Sequence, residues 1–371
     1  MDDDRTVFDA WLAAAELPYD ILIPLLHEWK GSTNVFRAFT SPESGIRDSV
    51  PPAQRRILSE NASDEKMEAM RKCMEQYRIR SVTILDSGFP GSLRNISDPP
   101  GILFFQGDPA CLQRERITAM VGSRSASYEG LKASGEIALE LSRNGVAVVS
   151  GFAYGIDAAC HEGCIKGGSP TIAVLGCGLD LTYPADNEPL KKSILDHGGL
   201  VLSEYAPGTK PLPFHFPYRN RLISGIADAV VLMEAKIRSG SMTTISHALN
   251  QGKEVFAYPG IPTSPKSEAN RMLLREGARF FTRASDLLED MQWLDNLPYV
   301  RQNSEGSSGY TPGNAAEQAV YGALAKGALG FDELFQLTGL SPSELMSTIT
   351  VLQMKRIIEV LPGKRYQIRQ E

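Results

Sequence analysis

From Ile117 to Phe281 the sequence alternates short apolar runs with segments of helical spacing, and few folds accept that order. Ile117–Val121 precedes a helical pattern over Leu131–Leu141, Val146–Val149 precedes Ile156–Lys166, and Thr171–Leu175 precedes Glu188–Leu195. Leu200–Leu202, Ala229–Met233, Met242–Asn250, Glu254–Tyr258, Arg271–Glu276 and Arg279–Phe281 continue the series. Repeated βα units predict an α/β fold with a mainly parallel sheet, right-handed crossovers and helices on both faces. Ligands of such sheets bind beyond the carboxyl ends of the strands.

Gly- and Ser-bearing segments stand at those ends. In Val121-Gly122-Ser123-Arg124, Gly122 lets the backbone approach a ligand, Ser123 and its neighbours present N–H groups to an anion, and Arg124 supplies a forked donor suited to phosphate. In the stretch Ser150–Asp157, Gly151 ends a strand, Gly155 opens a helix, and Asp157 stands in its first turn. Asp157 either caps the helix against its dipole, or makes a hydrogen bond that shapes the pocket or meets a base edge; pocket architecture is the favoured reading. Phe216-Pro217-Tyr218-Arg219-Asn220-Arg221, read as a loop, is the most informative group. Arg219, Arg221 and Asn220 beside the Phe216 and Tyr218 rings combine phosphate neutralisation with stacking, as single-stranded nucleic acid requires. Lys210 and His215 lie just upstream. Arg238-Ser239-Gly240-Ser241 opens the Met242–Asn250 helix, so Ser239, Gly240 and Ser241 form another anion-ready N-terminus, without the Lys-Ser/Thr order of a P-loop.

No Ser/His/Asp or paired-carboxylate set is evident, so neither a catalysed reaction nor a cofactor is expected. His161, His197, His215 and His247 are scattered and read as structural. Cys160, His161 and Cys164 are too few for a structural zinc, and on a helix the two cysteines share a face that suits core packing.

Residues 7–78 read as helices: Phe8, Trp11, Leu12 and Ala15 recur at helical spacing, as do Ile21, Leu22, Leu25 and Leu26. The Pro/Gly-rich stretch Asp86–Gly101 reads as a link to the next unit. Residues 301–314 are polar and read as a flexible linker. Beyond it, helices over Ala315–Leu324, Asp332–Thr338 and Ser343–Met354, a strand over Ile357–Val360, a Pro362-Gly363 turn and a strand over Tyr366–Ile368 predict a winged helix-turn-helix. Ser343–Met354 contains no Lys or Arg, and only Lys355 and Arg356 stand at its end. A protein contact or a weak DNA role is therefore favoured over groove reading. The expected domains are 1–80, 81–300, the linker 301–314, and 315–371.

The net charge of −6 excludes a surface coated in positive charge but not a local basic site. No apolar run approaches the roughly 20 residues of a membrane span, and Met1-Asp2-Asp3-Asp4 is the opposite of a basic signal-peptide start. Five unevenly spaced cysteines form no disulfide framework, so a reducing cytoplasm is expected.

These ordered motifs resemble the DNA-processing protein A (DprA/Smf) family. The resemblance covers nearly all of the chain and is strongest over 84–282. It is carried by Val121–Arg124, Ser150–Asp157 with His161, Ala173–Asp180 with Tyr183-Pro184, Ser203-Glu204-Tyr205, Phe216–Arg221, Arg238–Ser241 and Pro259-Gly260. It implies an extended Rossmann-like domain that binds single-stranded DNA, protects it from nucleases and helps load the RecA recombinase in natural transformation. It also implies a homodimer, a sterile-alpha-motif (SAM)-like helical start and a C-terminal winged helix, with no catalysed reaction established. By the motif match, Arg124, Lys210, Arg219 and Arg221 are the phosphate contacts. Two departures bear on pocket shape: Glu268 replaces the family's usual glycine ahead of Asn270, and Tyr154 stands where a charged residue is common. A rival reading, a nucleotide phosphoribohydrolase-like enzyme, requires a Pro-Gly-Gly-x-Gly-Thr loop followed by a Glu, which Arg238–Ser246 lacks. A duplex-reading transcription factor is the third, disfavoured by the missing basic residues of the last helix.

Overall fold

Strands form where the sequence runs apolar with no polar alternation, the mark of a sheet covered on both faces. β3 (Ile117–Val121), β4 (Ala147–Ser150), β5 (Thr171–Leu175), β6 (Leu200–Ser203) and β7 (Ala229–Leu232) are buried at every residue. The computed structural model describes residues 3–293 and 312–368, apart from 42, 262, 326, 328, 356 and 362–364. Residues 301–311 of the expected linker, Arg356 and the Pro362-Gly363 turn thus lie outside the described residues. The chain divides into two units, Met1–Leu297 and Pro298–Glu371.

In the first unit, α1 (Asp3–Ala13), α2 (Tyr19–Trp29), α3 (Ser32–Thr40), α4 (Pro52–Glu60) and α5 (Asp64–Gln76) precede β1 (Arg80–Thr83). α6 (Gly91–Arg94) and β2 (Ile102–Gly107) follow. The remaining elements alternate with the strands named above and extend them: α7 (Tyr128–Arg143), α8 (Ile156–Gly167), α9 (Glu188–Asp196), α10 (His215–Ile226), α11 (Ser241–Asn250), β8 (Glu254–Ala257), α12 (Glu268–Arg275), β9 (Arg279–Phe280) and α13 (Ala284–Asp290). The nine-stranded sheet has the order β1-β2-β6-β5-β4-β3-β7-β8-β9. Neighbours from β6 to β9 run parallel, while β2 is antiparallel to both β1 and β6.

The stretch Asp86–Gly101 is not a link between units. It is the turn region joining two antiparallel strands of the same sheet, with Ile84 N donating to Gly101 O at 2.9 Å. The helices before it share a hydrophobic core with this edge of the sheet, Trp11, Leu26 and Phe39 clustering with Leu103 and Phe104. A polar contact reinforces the seam, the buried Asp9 carboxylate of α1 accepting from Ser81 Oγ of β1 at 2.7 Å, while Trp11 Nε1 donates to Leu58 O at 2.9 Å and ties α1 to α4.

The second unit contains α14 (Ala315–Leu324), β10 (Leu329–Gly330), α15 (Phe331–Thr338), α16 (Pro342–Met354), β11 (Ile358–Leu361) and β12 (Arg365–Ile368), with β12 central in a three-stranded sheet. Val320, Leu334, Leu345, Ile349 and Ile358 form its core. Lys355, at the end of α16, is engaged with the buried Glu317 carboxylate at 2.7 Å.

Candidate functional site

The chain runs from β3 outward through β4, β5 and β6, then returns to the other side of β3 for β7, β8 and β9. This reversal leaves a crevice outside the carboxyl ends of β3 and β7, where open α/β sheets bind their ligands. A cavity of about 540 Å³ lies there. The loop after β3 supplies Gly122, Ser123, Arg124 and Ser125; the segment after β4 supplies Ala153 and Asp157; the loop after β7 supplies Lys236, Arg238, Ser239 and Gly240. α10 adds Phe216, Arg219 and Asn220, and the start of α11 adds Ser241 and Thr244.

Close backbone packing fixes these loops. Ser123 N donates to Glu234 O at 2.7 Å, and Ile156 N donates to Ser123 O at 3.2 Å. A Cβ on Gly122 would stand 2.6 Å from Ile156 Cγ1. Gly155 has φ +78°, and its Cβ would collide with Ser123 O. Gly155 thus acts by letting the loop after β3 touch the start of α8, rather than by lining the cavity. The loop after β7 is held by Asn270, whose Nδ2 donates to Leu232 O, Met233 O and Tyr258 O at 2.9–3.1 Å while its Oδ1 accepts from Ala235 N at 3.0 Å. Glu268 sits in the first turn of α12, where an acid suits the helix dipole. Tyr154 donates its hydroxyl to Asp186 at 2.6 Å.

The segment Phe216–Arg221 is helical, not a loop, and this changes what its arginines do. Pro217 falls in the first turn of α10, where its missing N–H leaves no helical bond unmade. Arg219 reaches the floor of the cavity but is buried, with Nη1 donating to Gly151 O at 2.9 Å and to Val174 O, and Nε to Asn220 Oδ1 at 3.2 Å. Burial pulls its pKa down to about 10, against the attraction of Asp157. Burial raises the Asp157 carboxyl in turn, and the Arg219 charge opposes that rise. Gly151 lies beneath the cavity rather than in its lining; a Cβ there would meet both Asp157 Oδ2 and an Arg219 Nη, at 2.8 and 2.9 Å.

Arg221 points the other way. It is buried, its Nη2 lies 2.8 Å from Glu204 Oε1, its Nε donates to Asp98 O at 3.0 Å, and its guanidinium covers the Tyr218 ring at 3.9 Å. Neither Arg221 nor the exposed Lys210 lines the cavity. The exposed cations that do are Arg124, Lys236 and Arg238. Lys236 was invisible to motif reading, although it is the third residue beyond the apolar run Ala229–Met233, as Arg124 is beyond Ile117–Val121. Phe216 is the aromatic base of the site: the Arg124 guanidinium lies 5.5 Å from its centroid, and the Tyr183 ring packs on it at 5.3 Å. Asn220 Nδ2 donates to Thr243 Oγ1 at 2.8 Å, tying α10 to the start of α11. Asp157, buried, is the one acid in the lining.

Cys160 and Cys164 pack in the hydrophobic core under α8. His161 is fully buried, with Nδ1 2.7 Å from Thr171 Oγ1. Burial, aided by the Arg219 charge, lowers its pKa from 6.5 to about 3. Between these values the unfolded chain holds a proton that the native state lacks, so stability falls as pH falls through that window. Well below pH 6.5 the expected slope is about 1.4 kcal/mol per pH unit. Urea unfolding at pH 7 and pH 5 checks this, with His161→Gln giving the smaller pH dependence.

Among the described residues no helix is long and apolar enough to cross a membrane. The family model for DNA recombination-mediator protein A matches residues 80–292, and that for the DprA winged helix domain matches 308–364. The chain is 42% identical over 220 residues to DNA processing protein DprA of Streptococcus pneumoniae, covering 59% of this chain and 77% of that protein. The crystal structure of DprA from that species superposes with a TM-score of 0.64 at 35% identity, over 76% of this chain and 95% of that one. Protein Smf of Escherichia coli is 33% identical over 367 residues, 99% of this chain and 96% of its own length. A structure of DNA processing protein A from Helicobacter pylori, described for its single-stranded DNA binding mode, matches with a TM-score of 0.53 at 28% identity, over 58% of this chain and 96% of that one.

Proposed function

This chain belongs to the DNA recombination-mediator protein A (DprA/Smf) family, and from that premise we propose that its crevice beyond β3 and β7 binds single-stranded DNA. The observation that carries the proposal is the meeting of three exposed cations, Arg124, Lys236 and Arg238, with the Phe216 ring in one cavity. Cations neutralise phosphates, and an aromatic face stacks on bases that are free only in a single strand. The Helicobacter pylori relative's single-stranded DNA binding supports the assignment. Arg219 and Asp157 set the floor of the site, while Arg221 braces α10 from its other side. The role is that of a binding protein and not an enzyme: α11, Ser241–Asn250, has no acidic residue where the phosphoribohydrolase reading needs one. In the cell the bound strand is protected and passed to the RecA recombinase during DNA uptake and recombination, in the cytoplasm, by a homodimer.

Fluorescence anisotropy of labelled oligo-dT tests this reading. Tight binding that resists duplex competitor is expected, with a log–log salt slope of about −0.7 for each phosphate neutralised. Equal competition by duplex, or affinity indifferent to salt, would sink it.

A further inference from the structure

Four neighbouring parallel strands each lead, at their carboxyl ends, to one exposed aromatic ring. β3 is followed by Tyr128 in the first turn of α7, β4 by Tyr154, β5 by Tyr183, and β6 by Phe214 just before α10. These side chains are 76, 43, 44 and 63% exposed. Exposed apolar residues scattered singly are ordinary on a protein surface. These four are ordered: the sheet sets β6, β5, β4 and β3 side by side, so Phe214, Tyr183, Tyr154 and Tyr128 follow one another along its carboxyl edge. At about 4.8 Å between strands, the four strand ends span about 14 Å. The connection after β7 ends the series, exposing Lys236, Ile237 and Arg238 in place of a ring.

The row is continuous with the crevice. Tyr183 is in the crevice lining and packs on Phe216 at 5.3 Å. Two other lining residues adjoin the ends of the row, Pro213 next to Phe214 and Ser125 three residues before Tyr128. Neighbours hold the rings in place. Phe214 meets the buried His215 ring edge-on at 4.5 Å, and the Tyr154 hydroxyl donates to Asp186 at 2.6 Å. Side chains fixed in this way have little conformational freedom to lose when a ligand stacks on them.

The charges of these connections suit the same ligand. Arg124 after β3 and Lys210 after β6 are exposed cations. Between the four strands and the helices that follow them stand three acids, Asp180, Asp186 and Glu204, and each is engaged within the protein. Asp186 accepts from Tyr154, Asp180 Oδ1 accepts from Gly208 N at 2.8 Å, and Glu204 Oε1 lies 2.8 Å from Arg221 Nη2. A line of aromatic faces with cations at both ends matches a single strand, whose bases are free to stack and whose backbone is anionic.

We propose that single-stranded DNA crosses the molecule along this row, its bases stacking on Tyr128, Tyr154, Tyr183 and Phe214 while its phosphates meet the crevice cations. The inference rests on the crevice being the DNA site and adds the direction of the strand, across the carboxyl ends of β3 to β6.

Anisotropy of labelled oligo-dT of increasing length, with the full chain and its Tyr128→Leu/Phe214→Leu variant, tests the path. Both side chains are exposed and leucine keeps apolar bulk without an aromatic face, so the variant should keep its melting temperature. It should bind long oligo-dT at least about thirtyfold more weakly than the wild type, with the loss growing with length as more of the row is covered. Its salt slope should be unchanged, because no phosphate contact is removed. Tyr128→Phe/Phe214→Tyr keeps both aromatic faces and should bind as the wild type does. Wild-type affinity of the leucine variant for long oligo-dT would overturn the row while leaving the crevice as the DNA site, and so would an equal loss in the ring-preserving variant. Failure of the wild-type chain to bind oligo-dT would overturn the crevice reading and the row with it.

Discussion

An Arg219→Ala variant is expected to lose about 3–5 kcal/mol of folding stability. The guanidinium is buried, donates to the carbonyls of Gly151 and Val174 at the ends of β4 and β5, and supplies the positive charge that offsets burial of Asp157. Removing it strands two acceptors and leaves a buried carboxyl without compensation. Urea unfolding near pH 7 measures the loss, and Arg219→Ala/Asp157→Asn should recover part of it, because the uncompensated group is then neutral. Arg221→Ala is expected to resemble Arg219→Ala in stability, since it leaves Glu204 in the same position. An Arg219→Ala protein with wild-type stability but no DNA affinity would instead make Arg219 a direct phosphate ligand.

The opposite separation holds for the rim. Arg124, Lys236 and Arg238 are exposed, so replacing all three with alanine should move stability by only about 0.5 kcal/mol per site. Charge-assisted bonds to phosphate contribute about 1.5–3 kcal/mol each, so the triple variant should bind single strands at least about a thousandfold more weakly. The pair of predictions divides residues that share one cavity into those that build it and those that meet the ligand.

Motif reading could not make that division, and helix geometry explains why. In a loop, Arg219 and Arg221 could both reach one strand of DNA. On α10 they are two positions apart, and such residues do not share a helix face. One therefore points to Asp157 and the other to Glu204. The parallel strands were legible because a sheet covered on both faces needs unbroken apolar runs. β1, Arg80-Ser81-Val82-Thr83, has a single apolar residue and lies at the sheet edge, so nothing in its composition marks it. β2 is apolar, but it follows directly on the Pro/Gly-rich turn that dominated the reading of that region. Glycines were legible as necessary positions, and the packing gives one reason for Gly155: it lets the loop after β3 touch the start of α8. Lys236 belongs to no motif, and the strand order brings it into the lining that Arg124 shares.

The decisive measurement is oligo-dT affinity across a range of salt for the wild type and for Arg124→Ala/Lys236→Ala/Arg238→Ala, with both proteins shown to be folded by their melting curves. If the three cations meet phosphates, the variant's log–log slope should be shallower by about 2, at about 0.7 per lost contact, with affinity lost most at low salt. An unchanged slope and affinity in a folded triple variant would place the DNA elsewhere on the molecule and contradict the account.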